Sequence, residues 1–115
     1  MFGLARTGLA AVASLQAAGA HVYAWDDNEE RRAQCPVPAK NLYEMPLSEL
    51  DALMLAPGVP LTGKAKHALV STAERMGAPL ISDFDLFQVA RADLPPHTLV
   101  IITGTNGKST TTALL

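Results

Sequence analysis

The residues best suited to chemistry lie near the end of the chain, in the run Gly104-Thr105-Asn106-Gly107-Lys108-Ser109. Glycines let a backbone curl so that successive N–H groups point inward, where they bind phosphate oxygens. Lys108 adds a positive charge for the terminal phosphates of a nucleotide, and Ser109 adds a hydroxyl that ligates Mg²⁺. The run therefore predicts a loop that binds a nucleoside triphosphate.

The flanking residues support this prediction. Leu99–Ile102 is apolar and largely β-branched, as in a buried strand, and residues 110–115 can begin a helix. The usual phosphate loop has another glycine where Thr103 stands, so the spacing here is shorter. The alternative is a tight Asn-Gly turn with a chance lysine. The order of strand, loop and helix favours the phosphate loop.

A second glycine turn opens the chain with Gly3-Leu4-Ala5-Arg6-Thr7-Gly8. An apolar helix is predicted over residues 9–18 and ends at Gly19, and a strand is predicted over residues 21–25, followed by Asp26 and Asp27. Glycine turn, helix, strand and acid in this order are typical of a β-α-β nucleotide-binding unit.

Two features leave the ligand of this unit open. Ala5 stands where a dinucleotide site usually has its middle glycine, which disfavours NAD. The glycines could also serve only a tight turn and helix packing. Arg6 and Thr7 lie at a helix N-terminus, where anions bind well, although Arg6 could be solvated and Thr7 could be an N-cap.

The middle of the chain alternates strands and helices. Strands are predicted at Asn41–Tyr43, Ala52–Ala56 and Pro79–Ile81, with a helix between the last two that ends at Gly77. We therefore predict an α/β fold with a mostly parallel sheet flanked by helices. Gly58 follows a strand, at the edge where such sheets bind ligands, although an ordinary turn is the alternative.

The acidic residues and histidines of this region suggest no second catalytic centre. Ser82 is predicted to cap the next helix with Asp85 at its third position, which explains Asp83 and Asp85 without catalysis. The three histidines lack the spacing of a metal site.

Composition excludes several classes of function. The chain has 115 residues, a net charge of −2 and 49% hydrophobic residues, so it can form a core but has no basic surplus for nucleic acid. Cys35 is the single cysteine, which suits the reducing cytoplasm. No apolar run is long enough to predict membrane insertion. Only Met1 and Phe2 precede Gly3, so the first strand is expected to be truncated and the chain to be a fragment.

Four segments carry a family resemblance. The loop Thr103–Thr110 resembles the ATP loop of the Mur ligases and folylpolyglutamate synthetases, which form amide bonds through an acyl phosphate. Trp25–Asn28, Ala56–Leu61 and Ser82–Phe87, in this order before the loop, resemble one Mur ligase. This resemblance implies a function in adding D-glutamate to UDP-N-acetylmuramoyl-L-alanine in peptidoglycan synthesis.

The resemblance implies a Rossmann-like domain for the UDP substrate over residues 1–92, a linker over 93–98, and the opening strand, loop and helix of an ATP-binding domain over 99–115. It implies that Leu4, Arg6 and Thr7 line the pyrophosphate, that Asp26 and Asp27 meet the uracil–ribose end, and that Gly58 approaches the nucleotide. ATP would be held by Gly104, Thr105, Asn106, Gly107, Lys108, Ser109 and Thr110, with Ser109 on Mg²⁺.

The resemblance also implies that the catalytic residues and the D-glutamate site lie outside this chain. We therefore expect the fragment alone not to catalyse ligation. The alternative function is a non-catalytic module that binds a nucleotide or UDP-sugar, and a less favoured one is an NAD-binding domain.

Overall fold

The two apolar runs in the middle of the chain form strands. The computed structural model describes residues 1–115, with β1 at Leu53–Met54 and β2 at Leu80–Ile81. Five helices accompany them: α1 (Arg6–Ala17), α2 (Glu29–Ala33), α3 (Ala68–Met76), α4 (Asp83–Ala90) and α5 (Lys108–Leu114). Short 3₁₀ helices cover Leu42–Glu44, Leu47–Glu49 and Arg91–Asp93. The predicted α/β class is confirmed.

Strand pairing is parallel throughout. β1 and β2 pair with Leu53 beside Leu80, and single parallel bridges join Phe2 to both Trp25 and Leu55, and Ala24 to Ala39. Backbone hydrogen bonds of 2.9 Å from Phe2 N–H to the Met54 carbonyl and from Gly3 N–H to the Trp25 carbonyl hold the centre. The opening residues therefore lie between the segment at 24–25 and β1.

The core lies on both faces of this sheet. Side chains of successive strand residues point to opposite faces, and Leu53 and Met54 accordingly belong to different apolar clusters. One cluster packs against α3 and two 3₁₀ helices, and contains Phe2, Leu42, Leu47, Leu53, Leu55, Leu69, Val70, Ala73 and Ala78. The other packs against α1, and contains Met1, Leu4, Ala11, Val12, Ala24 and Met54.

Helix ends follow the predicted local chemistry. Gly77 ends α3 in the left-handed conformation with φ 73°, and Gly19 follows α1 with φ 81°. Ser82 begins α4 with the predicted capping box, in which its side chain accepts from Asp85 N–H and Asp85 accepts from Ser82 N–H. None of the helices combines the length and apolar character needed to span a membrane.

Three strand predictions need correction. Asn41–Tyr43 is not a strand, because the Asn41 side chain accepts the Tyr43 N–H at 3.1 Å and starts a 3₁₀ helix. Residues 99–107 form neither helix nor strand. Val100 and Ile101 are 61% and 66% exposed, since no neighbouring strand pairs with them. Of residues 21–25, only Ala24 and Trp25 make bridges.

Candidate functional site

The first glycine turn is closed by contacts that only glycine permits. A Cβ on Gly8 would lie 1.8 Å from the Gly3 carbonyl oxygen. Gly3 has φ 92°, and a Cβ there would lie 2.6 Å from the Ala56 Cβ. Glycine at position 8 therefore lets α1 begin directly beside the end of the first strand segment, and glycine at position 3 lets that end lie against Ala56, two residues after β1.

Asp26 ties this turn to the neighbouring strand segment. Its Oδ2 accepts the Leu4 N–H at 2.7 Å and its Oδ1 accepts the Asn28 N–H at 2.8 Å, while Arg31 lies 3.5 Å from Oδ2. Burial alone would raise the pKa of Asp26, but the two N–H donors and the Arg31 charge outweigh it and lower that pKa. Asp26 thus holds the turn as a buried carboxylate whose two oxygens are both engaged by partners within the chain.

The backbone of the two acids is fixed by Arg32. The guanidinium donates to the Asp26 carbonyl at 2.7 Å and to the Asp27 carbonyl at 3.0 Å. It also lies over the Trp25 ring, 4.4 Å from the ring centroid, so a cation–π contact holds the arginine in place. The acid pair is therefore presented by a rigid loop.

Arg6 and Thr7 are the first two residues of α1. Ala5 is the N-cap and offers no side-chain acceptor, so the alternative of a Thr7 N-cap is wrong. Arg6 is exposed and Thr7 is partly buried, whereas Leu4 is buried in the core. The Leu4 backbone faces the acid pair, since its N–H binds Asp26.

Gly58 lines a groove at the carboxyl ends of β1 and β2. The groove has a volume of about 370 Å³ and runs between the turn at residues 56–59 and the start of α4. Gly58 has φ 94°. Ala56 lines the groove and also contacts Gly3, so the groove and the first glycine turn are neighbours.

Sequence reasoning missed two side chains beside Asp27. The Tyr43 hydroxyl lies 3.1 Å from both carboxylate oxygens of Asp27 and 3.5 Å from His67 Nε2. Partial burial and the Asp27 carboxylate together raise the pKa of Tyr43 to about 12. The three residues are far apart in the chain, and no local spacing could have revealed their contact.

The second glycine loop is built from local contacts. Gly107 is the N-cap of α5 with φ 77°, and the Lys108 ammonium donates to the Gly104 carbonyl. The hydroxyls of Thr111 and Thr112 donate to the carbonyls four residues earlier, both at 2.9 Å. No hydrogen bond of this kind occupies the Ser109 hydroxyl. The predicted helix after the loop is confirmed, while the strand before it is absent.

The structure thus brings Leu4 and Asp26 into contact and sets Asp27 and Gly58 at the same edge of the sheet. No side-chain hydrogen bond or ion pair joins the loop at 104–110 to this edge. No three His, Cys, Asp or Glu side chains are grouped so that they could hold a metal ion.

Comparison with known proteins gives a consistent result. The whole chain is similar to UDP-N-acetylmuramoylalanine–D-glutamate ligases, with 46% identity over 119 residues to that of Novosphingobium aromaticivorans. The enzymes of Sphingopyxis alaskensis and Phenylobacterium zucineum are 47% and 46% identical over 118 and 121 residues. No protein-family model matches the chain, and no solved structure does.

The matches cover all of this chain but only 26% of each of these three ligases. The chain therefore spans about a quarter of the length of the curated relatives that it matches. Along its whole length, the chain is similar in sequence to part of these ligases.

Proposed function

We propose that this chain is part of an ATP-dependent ligase that adds D-glutamate to UDP-N-acetylmuramoyl-L-alanine, and that it holds the UDP end of that substrate. The observation that carries the proposal is the 46% identity along the full chain to a UDP-N-acetylmuramoylalanine–D-glutamate ligase. We expect the protein in the cytoplasm, where ATP and sugar nucleotides are available.

The strand order supports a Rossmann-like substrate domain. Numbered along the chain, the paired segments at residues 2, 24–25, 39, 53–55 and 80–81 lie across the sheet in the order 3-2-1-4-5. A Rossmann sheet has this order, and it binds nucleotides at the carboxyl ends of its strands where the order reverses. Gly3 and Gly58 follow the two segments at that reversal.

The charges at this edge suggest how a UDP group lies. The α1 N-terminus, where Arg6 and Thr7 are found, suits the pyrophosphate because free N–H groups and a cation favour anions there. Asp27 suits the neutral uracil–ribose end, because its carboxylate accepts hydrogen bonds and repels phosphate. Gly58 would lie along the same edge.

The second loop is proposed to bind ATP, as part of the domain that begins at residue 99 after a linker at 93–98. An oxygen of the L-alanine carboxylate attacks the γ-phosphorus and ADP leaves. The D-glutamate amine then attacks the acyl carbon, phosphate leaves, and the amine loses a proton. Lys108 would stabilise charge on the phosphoryl oxygens, and Mg²⁺, when bound at Ser109, would supply further positive charge.

Calorimetric titration of the 115-residue chain tests both sites. We expect UDP-N-acetylmuramoyl-L-alanine and ATP to bind independently, and NAD not to bind. Arg6→Met should weaken binding of the UDP-sugar about tenfold, as loss of a charged hydrogen bond does, and leave ATP unchanged. Lys108→Met should do the reverse. Competition between the two nucleotides would contradict the proposal of two separate sites.

A second measurement concerns catalysis. Because the catalytic groups implied by the resemblance lie outside the chain, purified 1–115 should show no ATP hydrolysis that depends on D-glutamate. Such hydrolysis, removed by Lys108→Met, would show instead that the 115 residues are catalytically sufficient.

A further inference from the structure

Two side chains converge on the exposed carboxylate of Asp27. The Tyr43 hydroxyl lies 3.1 Å from each Asp27 oxygen, and His67 Nε2 lies 3.8 Å from Oδ2. Asp27 follows a strand segment, Tyr43 belongs to a 3₁₀ helix and His67 caps α3. Three separate elements therefore meet at one carboxylate.

The hydrogen bonds of His67 determine which ring nitrogen carries its proton. As the N-cap of α3, His67 accepts the Leu69 N–H through Nδ1 at 3.3 Å. The neutral ring therefore bears its proton on Nε2, which is the nitrogen that faces Tyr43 and Asp27. The Phe2 ring supports the imidazole with a centroid distance of 4.5 Å.

Tyr43 restricts the rotation of the carboxylate. Its hydroxyl is the donor in this contact, because a pKa of about 12 keeps it protonated at neutral pH. A donor placed equally far from both oxygens favours one orientation of the carboxylate plane. Since Arg32 fixes the Asp27 carbonyl as well, both the backbone and the side chain of Asp27 are held.

We propose that Tyr43 and His67 are positioning residues that hold the Asp27 carboxylate to accept a hydrogen bond from the nucleoside end of the ligand. The donor is a ribose hydroxyl or the base N–H, since the Asp27 side chain is 60% exposed and its Oδ1 accepts from Tyr43 alone. The charge of Asp27 excludes phosphate from this place, so the site admits UDP in one direction only. This inference rests on the proposed function.

The test uses UDP, 2′-deoxyUDP and inorganic pyrophosphate as probes of the 115-residue chain, with calorimetric affinities. Tyr43→Phe removes only the hydroxyl. The matched control is Tyr23→Phe, because Tyr23 lies beside Lys40 and His21, away from Asp27. His67→Asn removes the imidazole but keeps a good N-cap for α3, so that the helix is preserved. Thermal melts check that each variant is folded.

We expect Tyr43→Phe to weaken UDP about fivefold, as loss of one hydrogen bond does, and His67→Asn to weaken it less. Pyrophosphate affinity and the Tyr23→Phe control should not change. In an Asp27→Asn background, Tyr43→Phe should have no further effect, because Tyr43 acts through Asp27. A smaller loss for 2′-deoxyUDP than for UDP would assign the donor to the 2′-hydroxyl, and an equal loss would assign it elsewhere on the nucleoside.

Other results would overturn the inference. Unchanged UDP binding by Tyr43→Phe would refute it and leave the proposed function intact, since UDP still binds. Equal weakening of UDP and pyrophosphate would mean that Tyr43 supports the fold alone. Failure of the unmodified chain to bind UDP would refute the proposed function itself, and the positioning role with it.

Discussion

The two glycine turns of this chain are similar in sequence but are held by different kinds of contact. In the first turn Gly3 lies against Ala56 and the Leu4 N–H donates to Asp26, and both of these partners come from other parts of the sheet. The second turn has Gly107 at its end, and its side-chain hydrogen bonds join residues four positions apart. The first turn is therefore a tertiary structure, and the second is a local one.

This difference teaches that a glycine motif fixes the local backbone but not its surroundings. Both turns have left-handed glycines and lead into a helix, as the sequence pattern predicts. Only the first also has a buried carboxylate and paired neighbours. Substitutions in the first turn should therefore change the stability of the whole fold, whereas those in the second should not.

The largest contrast is expected between two glycine substitutions. Gly8→Ala places a Cβ 1.8 Å from the Gly3 carbonyl oxygen, so the turn must open. The free energy of unfolding should fall by about 3 kcal/mol. Gly107→Ala meets no atom within 4 Å, and its backbone strain of about 1 kcal/mol should stay within α5. Urea unfolding followed by circular dichroism measures both.

Gly63→Ala is a suitable control for this pair, because Gly63 also has a positive φ and open space around it. It should behave like Gly107→Ala. Equal losses for Gly8→Ala and Gly107→Ala would contradict the distinction between a tertiary and a local turn.

An intermediate contrast is expected for the polar groups. Asp26→Asn leaves one of two backbone N–H groups without its acceptor and should cost about 2 kcal/mol in unfolding free energy at pH 7. Lys108→Met removes an exposed contact to Gly104 and should leave the urea midpoint unchanged. A loss for Lys108→Met as large as that for Asp26→Asn would show that the second turn also stabilises the fold.

The hydrogen bonds that Asp26 accepts should also affect how stability depends on pH in the acid range. The folded pKa of Asp26 is lowered, so its stabilisation is present above the ordinary value of 3.8 and is lost as pH falls through the folded value. Asp26→Asn should flatten this decline in the urea midpoint. Asp85 has a lowered pKa too, owing to Ser82, so Asp85→Asn serves as the comparison. An unchanged acid profile in Asp26→Asn would contradict the assignment.

The smallest effect on stability should come from removing residues 95–115. Val100, Ile101, Leu114 and Leu115 are all more than half exposed, so the unfolding midpoint should not move. Solubility should improve, because an unpaired apolar segment favours aggregation. Light scattering at rising concentration measures this, and unchanged or worse solubility would count against it.

Local chemistry was predictable from the sequence, and long-range contacts were not. The helix end at Gly77 and the capping box of Ser82 and Asp85 were predicted correctly, because a helix end is decided within a few residues. The strand predicted at Leu99–Ile102 was wrong, because an apolar segment does not form a strand without a neighbouring strand to pair with. The sequence named Asp27 but not the tyrosine beside it.

The assignments of residues to ligands stay predictions, and the structure favours some of them more than others. Asp26 was expected to meet the nucleoside, and its oxygens are already bonded to Leu4 and Asn28. Gly58 lines a groove, as a ligand residue should. Such distinctions depend on burial and on which partners a side chain finds across the sheet, and neither can be read from spacing.

The stacking of Arg32 on Trp25 has a practical consequence. Trp25 is the one tryptophan of the chain, and the guanidinium above its ring also holds the carbonyls of the adjoining acid pair. Indole emission responds to charge near the ring. A small molecule that displaces either acid would shift the arginine and alter that emission, so the protein carries its own fluorescent reporter without any label.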